Sequence, residues 1–96
     1  MPEPGALQRP HHLAGMAEVG ALLRAERAAR GLTQADMAAL LGLGRQTLIA
    51  LEKGADGTAA GTVLGLLADL GIIVLAFPPE AAADPAAALG ITAPKP

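Results

Sequence analysis

From about Gly15 to Arg30 the apolar residues Met16, Val19, Leu22 and Leu23 recur at helical spacing, with Arg24, Arg27 and Arg30 set among alanines. This spacing predicts a first helix. Gly31 supplies the break expected just beyond a helix end, and Arg30 in the last turn suits the negative pole of the helix dipole. Thr33-Gln34-Ala35-Asp36 has the form of a capping box, with the Thr33 hydroxyl accepting from the Asp36 amide while the Asp36 carboxylate reaches back. A second helix is therefore expected from Gln34 to about Leu41. Gly42-Leu43-Gly44 is short enough only for a tight reversal, and its central leucine must point into the core. A third helix from Arg45 to about Lys53 turns Leu48 and Leu51 inward and stops at Gly54. After a loop of small residues from Ala55 to Gly61, the residues Val63, Leu66, Leu67 and Leu70 predict one face of a fourth helix ending at Gly71.

The pattern then changes. Ile72, Ile73, Val74, Leu75, Ala76 and Phe77 are apolar without interruption, β-branched at first and closed by Pro78-Pro79. Such a run reads as a strand buried on both faces. No other segment looks like a strand, and an unpaired one leaves a row of unsatisfied amides and carbonyls. Its partner must come from a second molecule, and a two-fold axis would make the pair antiparallel. The fold class expected is all-α, with four to five short helices, plus one C-terminal β-strand forming an intermolecular sheet in a homodimer. Residues 1–13 hold three prolines and no apolar periodicity, and read as a flexible arm. Residues 78–96, rich in Ala and Pro, read as a disordered tail, so the packed domain is residues 14–77.

Composition narrows the functional classes. Hydrophobic residues make up 52% of the chain, yet Phe77 is the only aromatic and alanine supplies nearly a quarter, a mixture suited to closely packed helices. The absence of Cys removes disulfides and thiolate metal sites and points to a reducing compartment, with the cytosol as the expected location. No secretory signal and no apolar run of membrane-spanning length is present, so no membrane association is expected. With no Ser, Cys, Tyr, Trp or Asn, no catalytic constellation is expected, and no cofactor. His11 and His12 are adjacent on the arm without a third ligand, so no metal site is expected there. Net charge is −2, but residues 16–54 carry five bases against four acids, whereas the remainder carries two against five. Positive charge is concentrated in the middle of the chain.

Two short helices joined by a glycine-bearing turn, the second led by polar side chains, form the helix-turn-helix pattern. The ordered run Gly31-Leu32-Thr33-Gln34, Met37-Ala38, Leu41-Gly42, Arg45-Gln46-Thr47-Leu48 and Leu51-Glu52-Lys53-Gly54 resembles the Xre family of regulators, to which many phage repressors belong. The likeness covers about Val19 to Gly71 and implies a lambda-repressor-like fold. The ending from Leu70-Gly71 through Ile72-Ile73-Val74-Leu75 resembles antitoxins of the HipB type, which pair with HipA-type kinase toxins. In that family the terminal strands of two subunits form a small shared sheet, in agreement with the strand argument above.

The resemblance also implies roles residue by residue. Gln34 matches the position where the second helix touches phosphate, and amides at that helix start point the same way. Arg45 and Gln46 match the leading positions of the recognition helix, and Arg suits guanine O6 and N7 while Gln suits adenine N6 and N7. Ala50 completes the expected base-reading set. Thr47 and Lys53 are expected on phosphate, with a thymine methyl or the helix end as other partners for Thr47. Glu52 sits in the last turn of its helix, where the dipole disfavours a carboxylate unless a cation lies close, and in the family the residue matching Arg27 supplies it. Some positions depart from the family. Gly44 stands where Ser or Thr commonly caps the recognition helix, Ile49 and Ala50 stand where polar residues are common, and the loop from Ala55 to Gly61 has no basic residue. The function implied is an antitoxin that binds palindromic double-stranded DNA, restrains a HipA-type kinase and represses its own operon. A stand-alone Xre-family repressor without a toxin partner is the alternative.

Overall fold

The computed structural model describes residues 11–79. Four helices follow in order: α1 (Met16–Ala29), α2 (Gln34–Leu41), α3 (Arg45–Glu52) and α4 (Ala60–Asp69). The capping box at the start of α2 is complete, with the Thr33 hydroxyl accepting from the Asp36 amide at 3.1 Å and the Asp36 carboxylate accepting from the Thr33 amide at 3.3 Å. α4 begins at Ala60, inside the segment read from sequence as loop. Alanine is a strong helix former, and Gly61 is tolerated in a first turn whose amides have no intrahelical partner in any case.

All four helices end alike. After α1 the Gly31 amide donates to Ala28 and the Leu32 amide to Arg27; after α4 the Gly71 amide donates to Ala68 and the Ile72 amide to Leu67. The same pair of bonds closes α2 at Gly42 and Leu43 and α3 at Gly54 and Ala55. Each turn needs a residue with positive φ, and glycine takes it without steric cost. The residue that follows then folds back, and Leu32, Leu43 and Ile72 all pack against the core.

That core consists of Val19, Leu22 and Leu23 from α1, Met37, Ala38 and Leu41 from α2, Leu48 and Leu51 from α3, and Val63, Leu66, Leu67 and Leu70 from α4 and its end. α3 is the central element, packed on both α1 and α2. Its approach to α1 is unusually close. A Cβ on Gly20 would lie 2.3 Å from the Leu51 carbonyl oxygen and 2.8 Å from that of Glu52. Only a residue without a side chain fits there.

Among the described residues there is no strand and no helix long and apolar enough to cross a membrane. For the segment from Ile72 to Phe77, expected from sequence as a strand paired with a second copy, the structure shows no strand. Ile72 packs on the core, but Ile73, Val74 and Leu75 are 80%, 45% and 54% exposed, and Phe77 is half-buried. Among the described residues there is no strand edge with which these residues could form a ladder. Residues 1–10 of the expected arm and 80–96 of the expected tail lie outside the described residues.

Gly20→Ala isolates the α1–α3 contact. Helix propensity alone favours Ala by about 1 kcal/mol, but the clash with the α3 backbone should outweigh this and give a net loss of about 1 to 3 kcal/mol. Gly61→Ala, where an added Cβ meets nothing within 4 Å, should stabilise by up to about 1 kcal/mol. Urea melts of the two variants should move in opposite directions, and a stabilised Gly20→Ala would show that α1 and α3 are not in close contact.

Candidate nucleic-acid interface

α3 is anchored on one side and open on the other. Leu48 and Leu51 are buried and Glu52 is only 4% exposed, whereas Arg45, Gln46, Thr47, Ala50 and Lys53 face solvent and Ile49 is half-buried. Gly44 stands before the helix with extended backbone and no side-chain cap, leaving the first amides of α3 without a side-chain acceptor from that position.

The Glu52 carboxylate joins three helices. Arg27 of α1 donates from Nε to Oε2 at 2.7 Å and from Nη2 to Oε1 at 3.0 Å, a two-pronged pairing that matches the planar guanidinium to the carboxylate. Gln34 of α2 donates from Nε2 to the same Oε1 at 3.2 Å. Since an amide nitrogen carries two hydrogens, this bond leaves Gln34 one further donor. Arg27 also donates to the Leu32 carbonyl at 3.1 Å and so ties down the turn between α1 and α2. Burial pushes the Glu52 carboxyl up; the hydrogen bonds from Arg27 and Gln34 and the charges of Arg27 and Arg24 reverse this, and the net shift is downward. The Arg27 guanidinium is raised, chiefly by its hydrogen bond to Glu52.

The other α1 arginines also face structure. Arg24 donates to the Glu52 backbone carbonyl at 3.0 Å, and Arg30 donates to the Leu70 carbonyl at 2.9 Å. Each places a cation on the carbonyl end of a helix, where the dipole favours it. Arg30 additionally pairs with the buried Glu26 at 3.3 Å. Sequence reasoning counted these three arginines toward a basic middle segment and overlooked Glu26, Gly20 and the Gln34–Glu52 bond. Glu26 and Arg30 stand four apart on one helix, a spacing that signals such a pair. Nothing local marks the Gln34 bond, because its partner lies eighteen residues away.

Of the expected DNA-facing residues, Gln34 and Arg45 line an open hollow together with Arg27, Thr33 and Ala35, and Gln46, Thr47, Ala50 and Lys53 are exposed on α3 and just past its end. Gln34 at the start of α2 and Arg45 at the start of α3 bring a carboxamide and a guanidinium group to this hollow beside Arg27. Such a border is chemically suited to an oxyanion. His11 and His12 line a separate hollow beside Glu18 on α1, and among the described residues no group of three His, Cys, Asp or Glu is placed to hold a metal.

The brace makes a pH-dependent contribution. Glu52 titrates below its ordinary value near 4.5 when folded, so the stabilisation is complete above that pH and is lost as acid carries the solution down through the folded value. Glu52→Gln should destabilise the chain at neutral pH by roughly 3 kcal/mol, the low end for a buried pair because Arg27 is partly exposed. It should also flatten the fall in stability between about pH 5 and pH 3. Denaturant melts across that range decide the matter, and an unchanged acid slope would exclude Glu52 as the titrating group.

No curated protein matches the chain. The helix-turn-helix family matches residues 23–72, a span that takes in the second half of α1, all of α2 to α4 and the turn after α4. That span is more than half of the 96 residues and contains the Glu52 brace, the hollow and the exposed face of α3, so the chain belongs to the Xre-like helix-turn-helix family of DNA-binding transcription regulators.

Proposed function

We propose that this chain is a sequence-specific repressor that grips a palindromic operator as a homodimer, and that it serves as the antitoxin of a HipA-type kinase toxin in the bacterial cytosol. The observation that carries the DNA-binding part is the two-sided build of α3. Arg45 and Gln46 are exposed at the leading end of a helix whose opposite side is held by Leu48, Leu51 and the Glu52 brace. A rigid helix with guanine- and adenine-matching groups at its start is suited to the major groove. In this reading Arg45, Gln46 and Ala50 face bases, while Gln34, Thr47 and Lys53 meet phosphates on either side.

The homodimer rests on the segment from Ile72 to Phe77. Its exposed Ile73, Val74 and Leu75 are poor candidates for permanent solvation, and pairing with the same segment of a second copy would satisfy the main chain and cover these side chains together. Two recognition helices would then enter the groove about one helical turn, roughly 34 Å, apart. The antitoxin part rests on the likeness of this same ending to HipB-type proteins, and a repressor without a toxin partner shares everything but that partner.

Arg45→Ala and Gln46→Ala should each weaken operator binding by about 1 to 3 kcal/mol and relax the preference at one base position. Gln34→Ala should weaken all sequences alike. Binding measured over a library of operator variants tests this, and an unchanged preference in Arg45→Ala would take Arg45 out of the readout.

Val74→Pro removes a ladder hydrogen bond and should shift the sedimentation of the chain from dimer toward monomer at micromolar concentration. A wild-type chain that sediments as a monomer would overturn the dimer. Coexpression of a neighbouring kinase gene with this chain should restore growth and yield a copurifying complex. Equal toxicity with and without the chain, and no complex, would remove the antitoxin role and leave the repressor.

A further inference from the structure

The open side of α3 changes character along its length. Its first turn presents Arg45 and Gln46, both exposed and both able to hydrogen-bond a base edge. One turn later the same side presents Ala50, exposed, and Ile49, half-buried. Gln46, Ile49, Ala50 and Lys53 stand at helical spacings of three, four and seven residues and therefore form one stripe. Neither side chain in the middle of that stripe can donate or accept a hydrogen bond.

In the major groove the edges of guanine, cytosine and adenine consist of donors and acceptors, and only thymine adds an apolar group, its C5-methyl. A polar edge pressed against Ala50 would lose water and gain no partner, which disfavours it. A methyl group in the same place loses nothing. The short side chain of Ala50 also allows the helix backbone to lie close to the floor of the groove, within the roughly 4 Å at which two methyl groups touch.

We infer that the middle of α3 reads a 5-methylpyrimidine, thymine in ordinary DNA, by apolar contact of Ala50 and the exposed edge of Ile49 with the C5-methyl group. The inference rests on the DNA-binding reading above and adds to it the base class that the non-polar part of the helix selects. Thymine is thereby distinguished from cytosine by shape and hydrophobicity in the centre of each half-site, while hydrogen bonds from Arg45 and Gln46 distinguish bases at its flank.

The test begins with selection of duplexes from a randomised pool by the full chain. In the enriched sequence each thymine is then replaced, one at a time, by deoxyuridine, which removes the methyl group and leaves base pairing intact. One or two central positions should bind about fourfold more weakly per methyl removed. With Ala50→Gly the discrimination between thymine and deoxyuridine at that position should largely vanish, while the preferences at the positions read by Arg45 and Gln46 remain. If every deoxyuridine duplex binds the wild-type chain as tightly as its thymine parent, the methyl reading is overturned and sequence-specific binding stands. A pool that shows no enrichment would overturn the DNA-binding reading, and the methyl reading with it.

Discussion

A buried carboxylate at the carbonyl end of α3 is the constraint around which the molecule is arranged. Glu52 sits where the helix dipole and desolvation both oppose its charge, so it is compatible with the fold only if cations and donors surround it. Arg27 supplies a two-pronged bond, Gln34 a third and Arg24 a hydrogen bond to the backbone carbonyl of the same residue. These partners come from two other helices. Satisfying one charge therefore sets the placement of α1 and α2 against α3, because any rotation of α3 about its axis would withdraw the carboxylate from all of them. Gly20 works at the same junction by steric means, admitting the Leu51 and Glu52 carbonyls to a distance that any other residue would forbid.

This arrangement changes the meaning of the charge distribution. Arg24, Arg27 and Arg30 hold helix ends, a turn and two buried carboxylates. The positive charge on the exposed side of α3 then comes down to Arg45 at its start and Lys53 at its end. Phosphate attraction scales with the number of neutralised phosphates, so a surface this sparse in bases gains little from charge alone. The network also couples the fold to the interface, since Gln34 and Arg27 border the hollow at the helix starts while they bond the buried carboxylate.

The segment after α4 stands outside this economy of contacts. Glycine-ended turns return Leu32, Leu43 and Ile72 to the core, but among the described residues no further layer meets Ile73, Val74 and Leu75, which are exposed. Sixty-nine described residues form one core with four short helices around it, and a domain so small buries a limited share of its surface by itself.

Much of the architecture was legible in the sequence because it depends on local physics. The helices from Met16, Gln34 and Arg45 follow from apolar spacing, a capping box and glycines just past their ends, all of which act within a few residues. The pairing of Arg27 with Glu52 could be anticipated from a carboxylate in a last turn together with a family likeness. The tertiary structure alone decided the rest. Whether Gln34 bonds Glu52, whether Arg24 and Arg30 face carbonyls rather than a ligand, and why a glycine stands inside α1 at position 20 all depend on which backbone lies opposite, and that is set by packing between distant segments. The run from Ile72 shows the same limit from the other side: its composition is that of a buried strand, but burial requires a covering layer, and hydrophobic pattern specifies the need for one without specifying where it comes from.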